Sequence, residues 1–136
     1  MKRIMVASGR RLDIECLRSE LGQERGTAYE LFLLYAIGGR YVREGLLHTS
    51  RYWRARYSEL DEVLAEFARR GVLCDGVATT DDPVEAIGRT LREFQPDEVL
   101  IARTRRLRPL EERLRRLLQA YVRDSGRRIR TRWLPA

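Results

Sequence analysis

Residues 82–106, DPVEAIGRTLREFQPDEVLIARTRR, constrain the fold more than any other stretch of the chain. Asp82 stands where a helix N-cap belongs, Pro83 at the first helical position, and Glu85 where it closes a capping box. Val84, Ile87, Leu91 and Phe94 then recur at helical spacing and mark a buried stripe. Pro96 ends the helix, because proline disfavours helical geometry in the residue before it. Glu98 to Ala102 (EVLIA) reads as a short apolar strand, and it runs into an arginine-rich loop. Helix, break, strand and loop in this order are the grammar of a parallel α/β sheet.

The rest of the sequence repeats that grammar. Lys2 to Ala7 is an apolar run closed by Ser8-Gly9, a strand and its turn. Ile14, Leu17 and Leu21 give a short helix within 11–21, stopped by Gly22. Ala28 to Ile37 (AYELFLLYAI) loses its alternation toward its end, which marks a strand buried on both faces. Gly38-Gly39 opens a loop at that strand's carboxyl end, the edge where open α/β sheets hold ligands. Ser50 to Arg70 is the longest expected helix, capped by Thr49 or Ser50, with Trp53, Tyr57, Leu60, Leu64 and Phe67 along one face. Val72 to Thr79 is the next strand. After the arginine loop of 103–108, Pro109 starts a last helix with Leu110, Leu114, Leu117, Leu118 and Tyr121 inward. Beyond Gly126, RIRTRWL (128–134) alternates arginine with Ile129, Thr131 and Trp133, a strand of period two. The order β-α-β-α-β-α-β-α-β, with crossovers of this length, requires parallel pairing in one three-layer α/β domain spanning 1–136.

Composition narrows the function classes. With 43% hydrophobic and 35% charged residues the chain is globular, and it has no apolar run near the roughly 20 residues that span a bilayer. MKRIMVAS is too short for the hydrophobic region of a signal peptide, so cytoplasmic residence without membrane association is expected. Cys16 and Cys74 lack C-x-x-C spacing and are expected as small core residues; with His48 the only histidine, no metal site is expected. The sequence also offers no nucleophile elbow, His–carboxylate pair or phosphate-binding P-loop, so no catalytic residue and no enzymatic activity are expected. Net charge is divided unevenly, −2 over residues 1–100 and +9 over residues 101–136, where twelve arginines meet three acids. A concentrated positive field of that kind attracts anions.

The stretch TDDPVEAIGRTLREFQPDEVLIARTR resembles the universal stress protein family, in which an acidic-Pro helix start, a helix and a short break precede a D-x-[VIL]-[VIL]-[VIL] strand. MKRIMVAS fits that family's first strand, 50–72 its second helix and RIRTRWL its last strand. The resemblance implies a three-layer α/β/α fold with an open parallel five-stranded sheet in the order 3-2-1-4-5, universal-stress-protein-like (adenine nucleotide alpha hydrolase-like). ATP-binding members carry an acidic residue after the first strand and G-x2-G-x9-G-[ST] after the fourth. This chain has Ser8-Gly9 and RTRRLRPLEERLRRLLQ there, with no glycine until Gly126. Cradling phosphate with backbone N–H groups needs those glycines, since a Cβ blocks close approach. The resemblance is therefore to a divergent member that does not bind ATP in the standard way, and no cofactor is implied.

Arg103, Arg105, Arg106 and Arg108 lie between the fourth strand and a helix N-terminus, where guanidinium forks can take a phosphate-bearing ligand in place of glycine amides. The candidate anion or nucleotide groove is Ser8, Gly9, Gly38, Gly39, Arg103, Thr104, Arg105 and Arg106. The competing reading is that these arginines are a solvated surface, or pair with acids of residues 1–100. Relatives commonly dimerise through the last strand, which makes a homodimer the expected partner state and Ile129, Thr131 and Trp133 the interface candidates. The second choice is a nucleic-acid-associated protein that sets the arginines of 101–136 on phosphates.

Overall fold

A computed structural model describes residues 1–21, 28–36 and 46–135, with the backbone alone for 46–57. The elements are β1 (Lys2–Ser8), α1 (Ile14–Leu21), β2 (Tyr29–Ala36), α2 (Leu46–Arg69), β3 (Leu73–Thr79), α3 (Pro83–Phe94), β4 (Glu98–Ala102), α4 (Glu111–Ser125) and β5 (Arg130–Leu134). All strand pairs are parallel and the sheet order is β3-β2-β1-β4-β5, as expected.

The central strand β1 shows why the sheet needs a helix layer on each side. Ile4 and Val6 join the cluster beneath α1 and α2, with Leu17, Leu60 and Phe67. Met5 and Ala7 join the opposite cluster beneath α3 and α4, with Ile87, Leu91 and Leu114. A parallel strand covered on both faces carries no polar alternation, and β1 is buried from Ile4 to Ser8. Leu33 to Ala36 of β2 are likewise buried throughout, and so is every residue of β4.

α3 begins as its sequence dictates. The Asp82 carboxylate accepts the Glu85 N–H at 3.1 Å, and Pro83 follows at the first position. A cap of this kind contributes about 1 kcal/mol. Gln95 ends the helix in a left-handed conformation (φ 53°) and donates its N–H to the Leu91 carbonyl, just ahead of Pro96.

Several expectations need correction. α2 starts at Leu46, four residues before Ser50, so Thr49 and Ser50 lie inside the helix and do not cap it. α1 starts at Ile14 because the Asp13 carboxylate takes the Glu15 N–H (2.9 Å) and fixes the start there. A 3-10 turn over Arg108–Leu110 separates Pro109 from α4. Of the cysteines expected in the core, Cys16 is exposed, and Cys74 is half-buried and packs against the core beneath α1 and α2. The inward positions of α1 are Leu17 and Leu21, which leaves Cys16 on its outer side, while the Cys74 Sγ–H donates to the Leu64 carbonyl at 3.3 Å.

Candidate functional site

The carboxyl ends of β1 and β4 lie side by side, with Ala7 in register with Ile101. The two loops that leave them interlock. The Gly9 N–H donates to the Thr104 Oγ1 at 3.1 Å, and Thr104 is buried. A Cβ at Gly9 would stand 2.7 Å from that oxygen and 3.0 Å from the Arg106 Cβ, so only glycine admits the second loop this closely. Ser8 is fully buried and its hydroxyl is spent on the turn, donating to the Arg10 carbonyl (2.6 Å) and accepting the Arg10 N–H (3.2 Å).

Thr104 also organises the turn that follows β4. Its N–H donates to the Ala102 carbonyl, and its own carbonyl accepts from Leu107 (3.1 Å) and Arg108 (2.8 Å). The chain closes on itself immediately after the strand, where an ATP-binding loop would pass around phosphates. Leu107 is buried into the α3–α4 side of the core and anchors the turn.

The arginines of this loop divide into two groups. Arg103 turns toward α4: its Nε lies 2.7 Å from the Glu111 Oε1, and its guanidinium stands 5.8 Å from the Trp133 ring centre. Arg115 approaches the same ring at 4.7 Å and Glu111 at 3.9 Å. The Arg103 hydrogen bond holds the Glu111 carboxyl below its ordinary value. Arg105 is exposed and Arg106 half-buried, and neither makes an ion pair among the described residues. The Arg106 Nε is buried without a hydrogen-bond partner. Arg10, on the neighbouring loop, also makes no ion pair among the described residues, and Arg108 reaches only the Arg103 carbonyl at 3.5 Å.

The structure thus brings together Ser8, Gly9, Thr104, Arg105 and Arg106, turns Arg103 aside, and adds Arg108, while the Arg10 side chain lines a neighbouring cleft beside α1. Gly38 and Gly39 lie outside the described residues. Arg10 was missed because one arginine after a Ser-Gly turn carries no motif. Of the interface candidates, Ile129 and Trp133 pack against the α3–α4 side of the core, and β5 is an edge strand. Among the described residues no group of three or more His, Cys, Asp or Glu could hold a metal ion, and no helix is long and apolar enough to cross a membrane.

Two substitutions test this geometry. Gly9→Ala is expected to cost about 1–2 kcal/mol through overpacking, and Thr104→Ala about 1 kcal/mol by orphaning the Gly9 N–H. The double variant should lose less than their sum, because a methyl at position 9 takes the space of the missing hydroxyl. Urea unfolding measures all three, and strict additivity would refute the contact. Glu111 gives a pH test. Its lowered pKa means a contribution present above the unfolded value and lost as pH falls through the folded one. Arg103→Gln should bring the Glu111 titration, followed by carboxyl-carbon NMR, back toward the ordinary glutamate value.

No family model matches the sequence, and no curated protein matches it. Solved structures do. MJ0577, a hypothetical protein whose biochemical function was assigned from its structure, aligns with a TM-score of 0.65 at 12% identity, over 97% of this chain and 95% of that one. A universal stress protein family member from Burkholderia pseudomallei gives 0.59 at 18% identity, over 98% and 96%. Another from Arabidopsis thaliana, solved with AMP bound, gives 0.51 at 19% identity, over 100% and 94%. With the strand order and the helix layers above, the chain has the fold of the universal stress protein family over nearly its whole length.

Proposed function

We propose that this domain is a non-catalytic binding module that holds a phosphorylated or similarly anionic ligand with arginine side chains at the carboxyl ends of β1 and β4. The observation that carries the reading is the interlock of Gly9 with Thr104, which leaves Arg105, Arg106 and Arg108 around a closed turn. The AMP found in the Arabidopsis relative supports an anion on this kind of fold. ATP would meet a different surface here, since side-chain donors replace a glycine cradle and the turn after β4 is closed by its own backbone hydrogen bonds.

At least seven of the twelve arginines in residues 101–136 stand within 4.0 Å of a carboxylate. Arg113, Arg127 and Arg132 meet acids of residues 1–100, namely Asp82, Asp97, and Glu20 with Glu98. Their engagement favours a local anion site over a long nucleic-acid track. We place the module in a homodimer joined through the β5 edge, which sedimentation would detect.

Thermal shift against phosphate, pyrophosphate, AMP and ATP tests the site. Pyrophosphate, AMP and ATP are expected to stabilise to similar extents, and Arg105→Gln/Arg106→Gln to abolish the shifts. An ATP-specific shift that survives the double substitution, or silence across the panel, would refute the reading.

A further inference from the structure

A cleft of about 160 Å³ lies between α1 and the end of β5, on the opposite side of the sheet from α3 and α4. Its apolar lining is Leu12, Leu17, Leu134 and Pro135. Arg10, Arg11, Asp13, Cys16 and Glu20 supply the polar part of the wall.

Most of those charges are already engaged. Arg11 pairs with Glu62 at 2.9 Å. The Glu20 carboxylate stands 3.3 Å from Arg132, whose other nitrogen donates to the Glu20 carbonyl at 2.9 Å. Asp13 accepts the Glu15 N–H at the start of α1, where a helix terminus favours negative charge. Arg10 is the exception, with no ion pair among the described residues. The cleft therefore presents an apolar wall and, among the described residues, one guanidinium without a carboxylate partner. Two carboxylates nearby oppose a dianion but tolerate a single negative charge facing Arg10.

We infer that this cleft binds a small monocarboxylate with a ring-sized apolar body, its carboxylate on Arg10 and its body against Leu12, Leu17, Leu134 and Pro135. The volume sets the size: apolar cavities of roughly 150 Å³ take a benzene-sized guest. The site is separate from the Arg105–Arg106 anion site and does not rest on it. A phosphate dianion, the probe of that other site, is disfavoured here by Asp13 and Glu20.

Cys16 makes the cleft measurable, since it lines the wall and is exposed. Cys74 is the internal control, because burial pushes its thiol up and its Sγ–H is bound to Leu64. The experiment follows iodoacetamide alkylation of the full chain by mass spectrometry, with benzoate, benzyl alcohol or phosphate added. Benzoate is expected to slow Cys16 and leave Cys74 unchanged, with half-protection in the millimolar range that so small a ligand reaches. Arg10→Gln should raise the benzoate needed by about ten-fold, the loss of one charge-assisted hydrogen bond. Benzyl alcohol, with the same ring and no charge, should protect weakly and equally in both proteins. No protection by benzoate would overturn the inference. So would equal protection in Arg10→Gln, equal protection by phosphate, or protection that follows protein concentration, which would mean a second copy covers the cleft.

Discussion

Glu98→Ala is expected to lower stability by about 3 kcal/mol, at the low end of what removing one member of a buried ion cluster costs. Glu98 is 2% exposed at the start of β4. Lys2 from β1 stands 2.7 Å from one of its oxygens, and the Arg132 Nε from β5 stands 2.8 Å from the other. The acid thus ties the central strand to the edge strand across β4, and Arg132 carries the tie on to Glu20 of α1. Without Glu98, two cations stay close together with no anion between them. They are partly exposed and can turn toward water, which keeps the cost at that lower bound. For a chain of this size the melting temperature should fall by roughly 10 °C. Lys2→Met/Glu98→Leu/Arg132→Met removes all three charges together and should recover most of the loss, because an apolar trio needs no desolvation of ions. Reversible thermal unfolding decides the matter, and a single variant within ~0.5 kcal/mol of the parent, the range of an ordinary surface change, would show that Glu98 ties nothing.

Phe67→Ala should be at least as damaging. Phe67 is 1% exposed on the inner face of α2, in one cluster with Leu31, Leu33, Leu60 and Val63. Deleting a buried phenyl ring costs about 3–5 kcal/mol, the transfer free energy of the ring plus the cavity left behind. Phe67→Leu keeps most of the volume and is expected to cost less than ~1.5 kcal/mol. Leu73→Ala is the matching control, since Leu73 is 59% exposed and its truncation should fall within ~0.5 kcal/mol of zero. A Phe67→Ala loss as small as that of Leu73→Ala would mean that α2 does not close this side of the core.

Legibility in the sequence followed how local each determinant is. The start of α3 and both ends of β4 were read to the residue, because Asp82, Pro83 and Pro96 act on their own neighbours. β5 was expected from 128 and begins at Arg130, since alternation marks a strand but not the point where pairing with Glu98 begins. The start of α2 was misplaced because Thr49 and Ser50 can cap a helix or be carried inside one, and nothing adjacent decides between them. Cys16 was misassigned by residue type, whereas its position relative to Leu17 and Leu21 sets its exposure. At the site, the absent glycines were visible in the sequence. The fit of Gly9 against Thr104 was not, because it joins residues 95 positions apart. A still larger separation, 112 positions, hid the partnership of Arg132 with Glu20.

Strand order also sets an assembly schedule. β1 lies in the middle of the sheet, yet one of its two neighbours, β2, is made soon after it and the other, β4, some 90 residues later. At translation speeds of roughly 5–20 residues per second, one flank of β1 stays unpaired for several seconds after synthesis. The half-sheet β3-β2-β1 can form with α1 and α2 during that interval, but its open edge is apolar from Ile4 to Ala7. That edge is a template for any extended chain nearby until Glu98–Ala102 arrives to occupy it.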